Sequence, residues 1–564
     1  MSDSDEANAA IEAESAPTDS DDSKKSQADR MVDLARGSGA EVFHTPDGSS
    51  FVSAAIGGFR QTFRLDGLMA MGWLRLLFYE ETGGGAPGNQ AVATAIATLS
   101  AQARFSGPEQ EVYLRFARVG DEAYLDLGDA LGRAVRISPR GWEVIGTPMV
   151  RFRRTSTMRP LPVPATAIDV ESLTRFFNAP GHVETRLLCT ALAVALAGVG
   201  PYPIVVLNGE QGSAKSTLIK ELRLLIDPAD PATRSPSLNE RDLIVACENN
   251  AVVAFDNLSS ITPAMSDSFC RLSTGGGFGT RRLYTNDEEF TFSGMRPLFL
   301  NGIDELTTRA DLLDRAMTVN LPAIPSSERR DEHDLWKEFD LLRPGVLAML
   351  LDAAVLILRD SGSVRLTNLP RMADFARAGA AAAPAFGWTA DEFVAAYAGL
   401  AASANAFMLD VESIAAPLID LVAQGPWEGT ASELLQCLGP RTPEHQRDAR
   451  SWPKSASVFT NRLHRIVPAL RTSGVLVEFI RTGSKRLIKV NMEHGEVIDV
   501  APSSASSPSS GAPAADPPRA ATPEEQEPVI SSTGGTETTT SDDGDDGVQT
   551  TFRDALVDQP GGGA

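Results

Sequence analysis

One stretch limits the fold more than any other: residues 204–222, IVVLNGEQGSAKSTLIKEL. A β-rich run enters Gly209, a glycine-containing loop follows, and a helix is predicted from about Lys215. Strand, loop and helix in that order aim backbone N–H groups and a helix N-terminus at a phosphate. The residues expected to wrap it are Gly209, Glu210, Gln211, Gly212, Ser213, Ala214, Lys215, Ser216 and Thr217. In such a loop the lysine reaches the β and γ phosphates of a nucleotide and the serine hydroxyl ligates Mg²⁺, so ATP and Mg²⁺ are the expected cofactors. Ala214 stands where a second glycine is usual. That is tolerable if its φ is negative and the position needs only a small side chain.

Downstream segments supply the rest of a nucleotide site. NNAVVAFDNLS places Asp256 at the end of an apolar strand, where a carboxylate can hold the metal together with Ser216. Asn257 follows where a glutamate commonly polarises the attacking water, which leaves the general base open between Glu210 and a residue outside these motifs. RPLFLNGI ends a third strand at Asn301, whose amide can sense a γ-phosphate or simply make a turn. In TRADLLDRAMTVNLP, Arg315 precedes a strand-like run and Arg309 lies upstream. An arginine so placed can stabilise charge on a neighbouring subunit's nucleotide, or pair with Asp311 along a helix. The segment STGGGFGTRRLY carries Arg281 and Arg282 on a loop that suits a phosphate backbone or a solvated hairpin.

Taken together, the chain is predicted to be α/β, with a parallel-sheet core over 168–330. An α+β domain of unknown role precedes it at 51–164, with helical runs at 65–79 and 90–104 and then short strands. An Ala/Leu-rich helical bundle follows at 331–410 and a winged-helix-like domain at 411–492. In that last unit Ser455 can cap a helix bearing Arg462, His464 and Arg465, and a hairpin tip carries Lys485 and Arg486. Helix and wing together suit DNA. Asp126 and Asp129 read as turn acids rather than a metal pair.

Charge is informative through its placement. The formal net charge is -23, yet residues 1–50 carry 12 acids against 4 bases and residues 501–564 carry 11 against 2, so the body is only mildly acidic. Both end segments, 1–50 and 501–564, are poor in aromatics and are expected to be disordered. The four cysteines are widely separated and form no metal pattern, as for reduced thiols in a cytoplasm. The longest apolar stretch, 187–199, is too short to span a bilayer and reads as a buried helix, so no membrane partner is expected.

In order, GEQGSAKST, VVAFDN, LSTGGGFGTRRLY, RPLFLNG and LLDR resemble the superfamily 3 helicases of the AAA+ class, especially the ATPase halves of phage, virus and plasmid primase-helicases. The resemblance covers roughly residues 168–330. It implies a P-loop ATPase assembled as a hexameric ring, with ATP between subunits and single-stranded or forked DNA in the pore, where Arg281 and Arg282 would lie. Ala214 and Asn257 depart from the pattern. A DNA-replication helicase of a mobile element or phage is the leading expectation; a non-unwinding P-loop switch, loader or DNA-bound regulator is the alternative.

Overall fold

The computed structural model describes residues 25–492 except 236–238, 282–288, 303–309, 368, 449–451 and 484. Residues 1–24 and 501–564 of the expected tails, with Arg282, Arg309 and Ser484, lie outside the described residues. Part of the segment expected to be a disordered first tail is helical. Ser26 caps α1 (Gln27–Gly37) by accepting from the Asp29 N–H, and Met31, Val32 and Ala35 are buried on one face of that helix. The chain continues through β1 (Glu41–His44), β2 (Ser50–Ile56) and β3 (Phe59–Arg64) as an antiparallel sheet, then α2 (Leu68–Thr82) and α3 (Asn89–Phe105). The turn between β2 and β3 is Gly57-Gly58, with φ of 64° and 90°, as a two-residue hairpin requires. The core formed by these elements includes Met31, Phe63, Trp73 and Leu99. Among the described residues, folded structure is already present at α1, within the segment 1–50 expected to be disordered, because the apolar face of Met31, Val32 and Ala35 outweighs the acid-rich average composition.

Short strands follow as expected: β4 (Val112–Tyr113), β5 (Phe116–Val119), β6 (Glu122–Asp126), β7 (Ala134–Ser138), β8 (Gly141–Ile145) and β9 (Arg151–Phe152). Strands β5 to β8 form an antiparallel meander, and β4 pairs in parallel with β9. Asp126 and Asp129 act as turn acids here. Asp126 accepts from the Gly128 N–H and pairs with Arg154, and Asp129 accepts from the N–H groups of Leu131 and Arg133.

The central layer runs α4 (His182–Leu196), β10 (Ile204–Gly209), α5 (Lys215–Ile226), α6 (Glu240–Asn249), β11 (Val253–Leu258), α7 (Pro263–Thr274), β12 (Gly277–Arg281), β13 (Glu289–Ser293), β14 (Leu298–Gly302), α8 (Ala310–Leu313) and β15 (Ala316–Leu321). Its four-stranded sheet has the order β11-β14-β10-β15, and every pairing is parallel. Covered on both faces, Ile204, Val205, Val206 and Leu207 are at most 1% exposed, which is why the strand reads as an unbroken apolar run. Strands β12 and β13 form a separate antiparallel hairpin.

Helices α9 (Glu332–Asp360), α10 (Ala373–Ala382) and α11 (Ala390–Val411) were expected to form a bundle of their own. Instead Leu347, Leu350, Phe375 and Phe393 share one core with Leu188 of α4, Val205 of β10 and Leu222 of α5. By length and composition α9 and the 390–410 stretch could each cross a membrane. In α9, however, Val346 to Leu351 are buried among these partners, as a core helix demands.

The C-terminal module comprises α12 (Ala415–Ala423), β16 (Trp427–Thr430), α13 (Ala431–Leu438), α14 (Glu444–Asp448), α15 (Ala456–Thr472), β17 (Val475–Thr482) and β18 (Lys485–Met492). Its antiparallel sheet has the order β16-β18-β17. Leu434, Phe459, Leu463, Ile466 and Val490 form its core, joined by Leu409 from the end of α11. Cys189, Cys247 and Cys437 are free. Cys189, Cys247 and Cys270 are buried, and burial raises the Cys247 thiol to about 12.

Candidate functional site

The chain leaves β10 at Gly209, whose φ of 150° and surroundings leave no room for a side chain. A Cβ there would lie 2.6 Å from the Leu321 carbonyl oxygen and 2.7 Å from Ser213 Oγ. The loop closes on itself as Ser213 Oγ donates to the Glu210 carbonyl at 2.8 Å. It ends at Ala214, the N-cap residue of α5, with φ 59° and ψ 25°. The condition under which alanine would be tolerable here, a negative φ, is not met: the position is left-handed, a conformation that costs a non-glycine residue about 1–2 kcal/mol. No side chain caps α5. Its first-turn N–H groups, with the positive end of the helix dipole, are thus available to an anion in the loop.

Lys215 folds back into that concavity. Its Nζ donates to the Gly209 carbonyl at 2.5 Å and the Glu210 carbonyl at 2.8 Å, with Ser213 Oγ at 3.4 Å. The next residue reaches across the sheet: Ser216 Oγ donates to Asp256 Oδ1 at 2.9 Å. Asp256 sits at a β-bulge near the end of β11, two strands from β10. A hydroxyl and a carboxylate at this separation, beside a phosphate loop, can share a hard cation whose other ligands are phosphate and water. Among the described residues no group of three or more His, Cys, Asp or Glu side chains could hold a metal. Ser216 and Asp256 could hold such a cation only with further ligands from a nucleotide and water.

Asn257 follows in the left-handed region at φ 61°, which asparagine tolerates. Its backbone N–H donates to Asn301 Oδ1 at 2.6 Å, so Asn301 fixes the turn that presents Asp256. Asn301 is 1% exposed, and its Nδ2 is buried without a hydrogen-bond partner among the described residues. A donor held there unpaired is a group that an oxygen arriving at the site could satisfy. Glu210 and Asn257 are exposed, and Thr217 lies in the first turn of α5.

Two residues with no motif to mark them complete the loop's surroundings. Asn178 Nδ2 donates to the Ser213 carbonyl at 3.1 Å and the Pro322 carbonyl at 2.7 Å, while the Ile324 N–H donates to the Gly212 carbonyl at 3.2 Å. This strap brings Arg329 over the loop: a side chain on Gly212 would meet its Nη2 at 3.3 Å. An exposed guanidinium at that point can add charge to phosphate binding.

Other expected site residues are not gathered here. Arg315 enters β15 beside Ile204, at the opposite end of the strands from Gly209, and its Nη1 donates to the Asp311 carbonyl at 2.7 Å. Within one chain it does not reach the loop. Arg281 ends β12 opposite Glu289, and it and Lys485 are described by backbone alone. On α15, capped by Ser455 as expected, Arg465 is exposed, as is Arg486 on β18. Arg462 is a correction: its Nη1 donates to Glu412 Oε1 at 3.2 Å, and both side chains are mostly covered. It ties the module to the end of α11 rather than facing a ligand.

A mixed α/β core with a parallel sheet, and a glycine loop leading from a central strand into an uncapped helix, is consistent with a P-loop-like protein. Residues 170–402 match the family model of the actinomycete integrative conjugative element replication protein, and residues 414–507 match that of the AICE RepA C-terminal domain. Over these segments the chain is similar to a replication protein of a conjugative element. No curated protein matches the chain. Among solved structures, SCCmec type IV Cch, described as an active helicase, aligns at 12% identity over 80% of this chain and 92% of its own, with a TM-score of 0.44. The apo C-terminal region of NrS-1 aligns at 11% identity over 82% and 98%, with a TM-score of 0.35. Both are weak likenesses.

Proposed function

We propose that this chain is an ATP-hydrolysing motor of the superfamily 3, AAA+ type that acts on DNA during replication of a conjugative element in the cytoplasm. The observation that carries this reading is the 2.9 Å hydrogen bond from Ser216 to Asp256 beside the loop that holds the Lys215 ammonium. Bound Mg²⁺ would neutralise charge on the β and γ phosphates. Lys215 would exchange its two carbonyl partners for phosphate oxygens, the first turn of α5 would donate N–H groups, and Asn301 Nδ2 would orient an oxygen near the γ-phosphate. Arg315, remote from its own loop, would serve the nucleotide of an adjacent subunit in a ring. The order helix, strand, two helices, helix and strand hairpin from α12 to β18 supports a winged helix that binds DNA through α15 and the hairpin.

The second reading is a non-unwinding switch, loader or DNA-bound regulator, favoured by the amide at Asn257 in place of an acid. One experiment separates them: ATPase rate with and without single-stranded DNA, with the assembly's mass followed by light scattering in the same buffer. Strong stimulation of a ring-sized assembly, lost in Lys215→Ala and Asp256→Asn, supports the motor. Turnover indifferent to DNA moves the assignment to the switch, and full turnover in Lys215→Ala removes the nucleotide site itself.

A further inference from the structure

The hairpin of β17 and β18 sorts its residues onto two faces. On one, Val475, Val477, Phe479 and Arg481 lie opposite Met492, Val490, Ile488 and Arg486. The inner part of this face is core, with Val475 and Val490 at 0% exposure. Toward the tip it opens to solvent. Phe479 is 40% exposed, and its ring stacks on His464 of α15 with centroids 3.9 Å apart and planes 20° from parallel. One step further out, Arg481 and Arg486 face each other across the strands.

Like charges directly opposed on a hairpin repel. Among the described residues neither arginine has an ion pair or hydrogen bond to relieve it, and both are exposed. The nearest acid of the hairpin, Glu478, is on the other face opposite Lys489. A face with two unrelieved guanidiniums beside an open aromatic stack, in a chain of net charge -23, is arranged for a ligand carrying both phosphates and a flat ring. Arginines suit the phosphates, and an aromatic platform suits an unstacked base.

We infer that the His464–Phe479 stack is a platform for an unpaired base, with Arg481 and Arg486 holding the adjoining phosphates, so that the module engages single-stranded DNA or a fork rather than only duplex. This rests on the reading of the C-terminal module as DNA-binding and adds the kind of DNA and the residues that sense it.

The test is fluorescence anisotropy of the full chain with three probes at one salt concentration: an oligo(dT), a blunt duplex and a forked duplex. Phe479→Leu keeps apolar bulk against His464 and removes the π-face, while Phe479→Trp keeps it. The expected result is about tenfold weaker binding of oligo(dT) and fork by the leucine variant. Blunt-duplex binding should be unchanged, and the tryptophan variant should bind as the parent does. Equal weakening on all three probes, or none on oligo(dT), overturns the platform. If a combined Arg465→Ala and Arg486→Ala variant then still loses affinity for every probe, the module binds DNA without it. If the parent chain binds none of the probes, the DNA reading falls and takes the platform with it.

Discussion

The side-chain oxygen of Asn301 accepts the backbone N–H of Asn257 at 2.6 Å, bridging the ends of neighbouring strands β14 and β11. The bond holds Asn257 in the left-handed turn and with it the carboxylate of Asp256 that meets Ser216. Asn301 thus has two separable groups: an acceptor that shapes the turn and a donor, Nδ2, that is buried without a partner among the described residues. Asn301→Ala removes both, and ATP turnover should fall on the order of 10²-fold. Its stability should drop by only about 1 kcal/mol. Asn301→Asp keeps the acceptor but puts a buried carboxylate oxygen where Nδ2 was, so it should lose turnover and also lower the thermal midpoint at neutral pH. If the aspartate variant hydrolyses ATP at the parent rate, Nδ2 has no part in the chemistry.

The left-handed conformation of Ala214 leads to a second expectation. Glycine carries no Cβ penalty there, but it adds freedom to the unfolded chain. Relief of about 1–2 kcal/mol of strain set against roughly 0.5–1 kcal/mol of entropy leaves Ala214→Gly more stable by between about 0 and 1.5 kcal/mol. Ala214→Val, β-branched at positive φ, should be clearly less stable. Urea denaturation of the three proteins checks the order; a glycine variant weaker than the parent would mean the loop needs the methyl group.

What could be read in advance was local. GEQGSAKST with its flanking strand and helix, the strand ends at Asp256 and Asn301, and the helix cap at Ser455 are patterns within a few residues, and each lies where its pattern says. What escaped depends on partners far along the chain. Nothing near Asn178 or Arg329 signals that both lie against the Gly212–Ser213 stretch, and nothing near Arg462 signals Glu412. Helix α1 was hidden because Met31, Val32 and Ala35 are a minority in an acidic segment. The boundary drawn before α9 failed for another reason: apolar periodicity shows that a helix buries a face, but not which neighbour receives it.

Behind the loop helix lies a buried ionic cluster that no motif announces. Asp227 Oδ1 accepts from Arg115 Nε at 3.2 Å, Oδ2 accepts from the Val252 N–H at 2.9 Å, and Arg223 Nη2 is 3.6 Å away. Both arginines are at most 1% exposed, and burial lowers the pKa of Arg223 while Asp227 opposes it. Arg115 also donates to the carbonyls of Asp126, Arg159 and Pro228, which fastens the meander to the sheet. Asp227→Ala strands two guanidiniums and should cost about 3–5 kcal/mol. Asp227→Asn retains an acceptor and should cost less. Thermal denaturation gives the comparison, and an alanine variant within about 1 kcal/mol of the parent would show that backbone carbonyls alone satisfy the pair.

A buried acid lies within α5 itself. Glu221 is 0% exposed, neither carboxylate oxygen has a hydrogen-bond partner among the described residues, and burial raises its pKa well above the ordinary 4.5, with Arg330 only partly opposing. A folded pKa above the unfolded one means the native state holds the proton more tightly. The stabilisation from that proton is complete below about pH 4.5 and is lost as pH rises toward the folded value. At pH 8 the parent therefore carries a penalty, either an ionised buried carboxylate or the cost of keeping it protonated. Glu221→Gln removes the titration with little change of shape. The variant should exceed the parent in stability by on the order of 1–3 kcal/mol at pH 8, with the gap closing as pH falls toward 5. Denaturation at pH 5, 6.5 and 8 measures the gap. A difference that stays constant across this range would mean Glu221 finds a partner or water in solution, and its raised pKa would have to be given up.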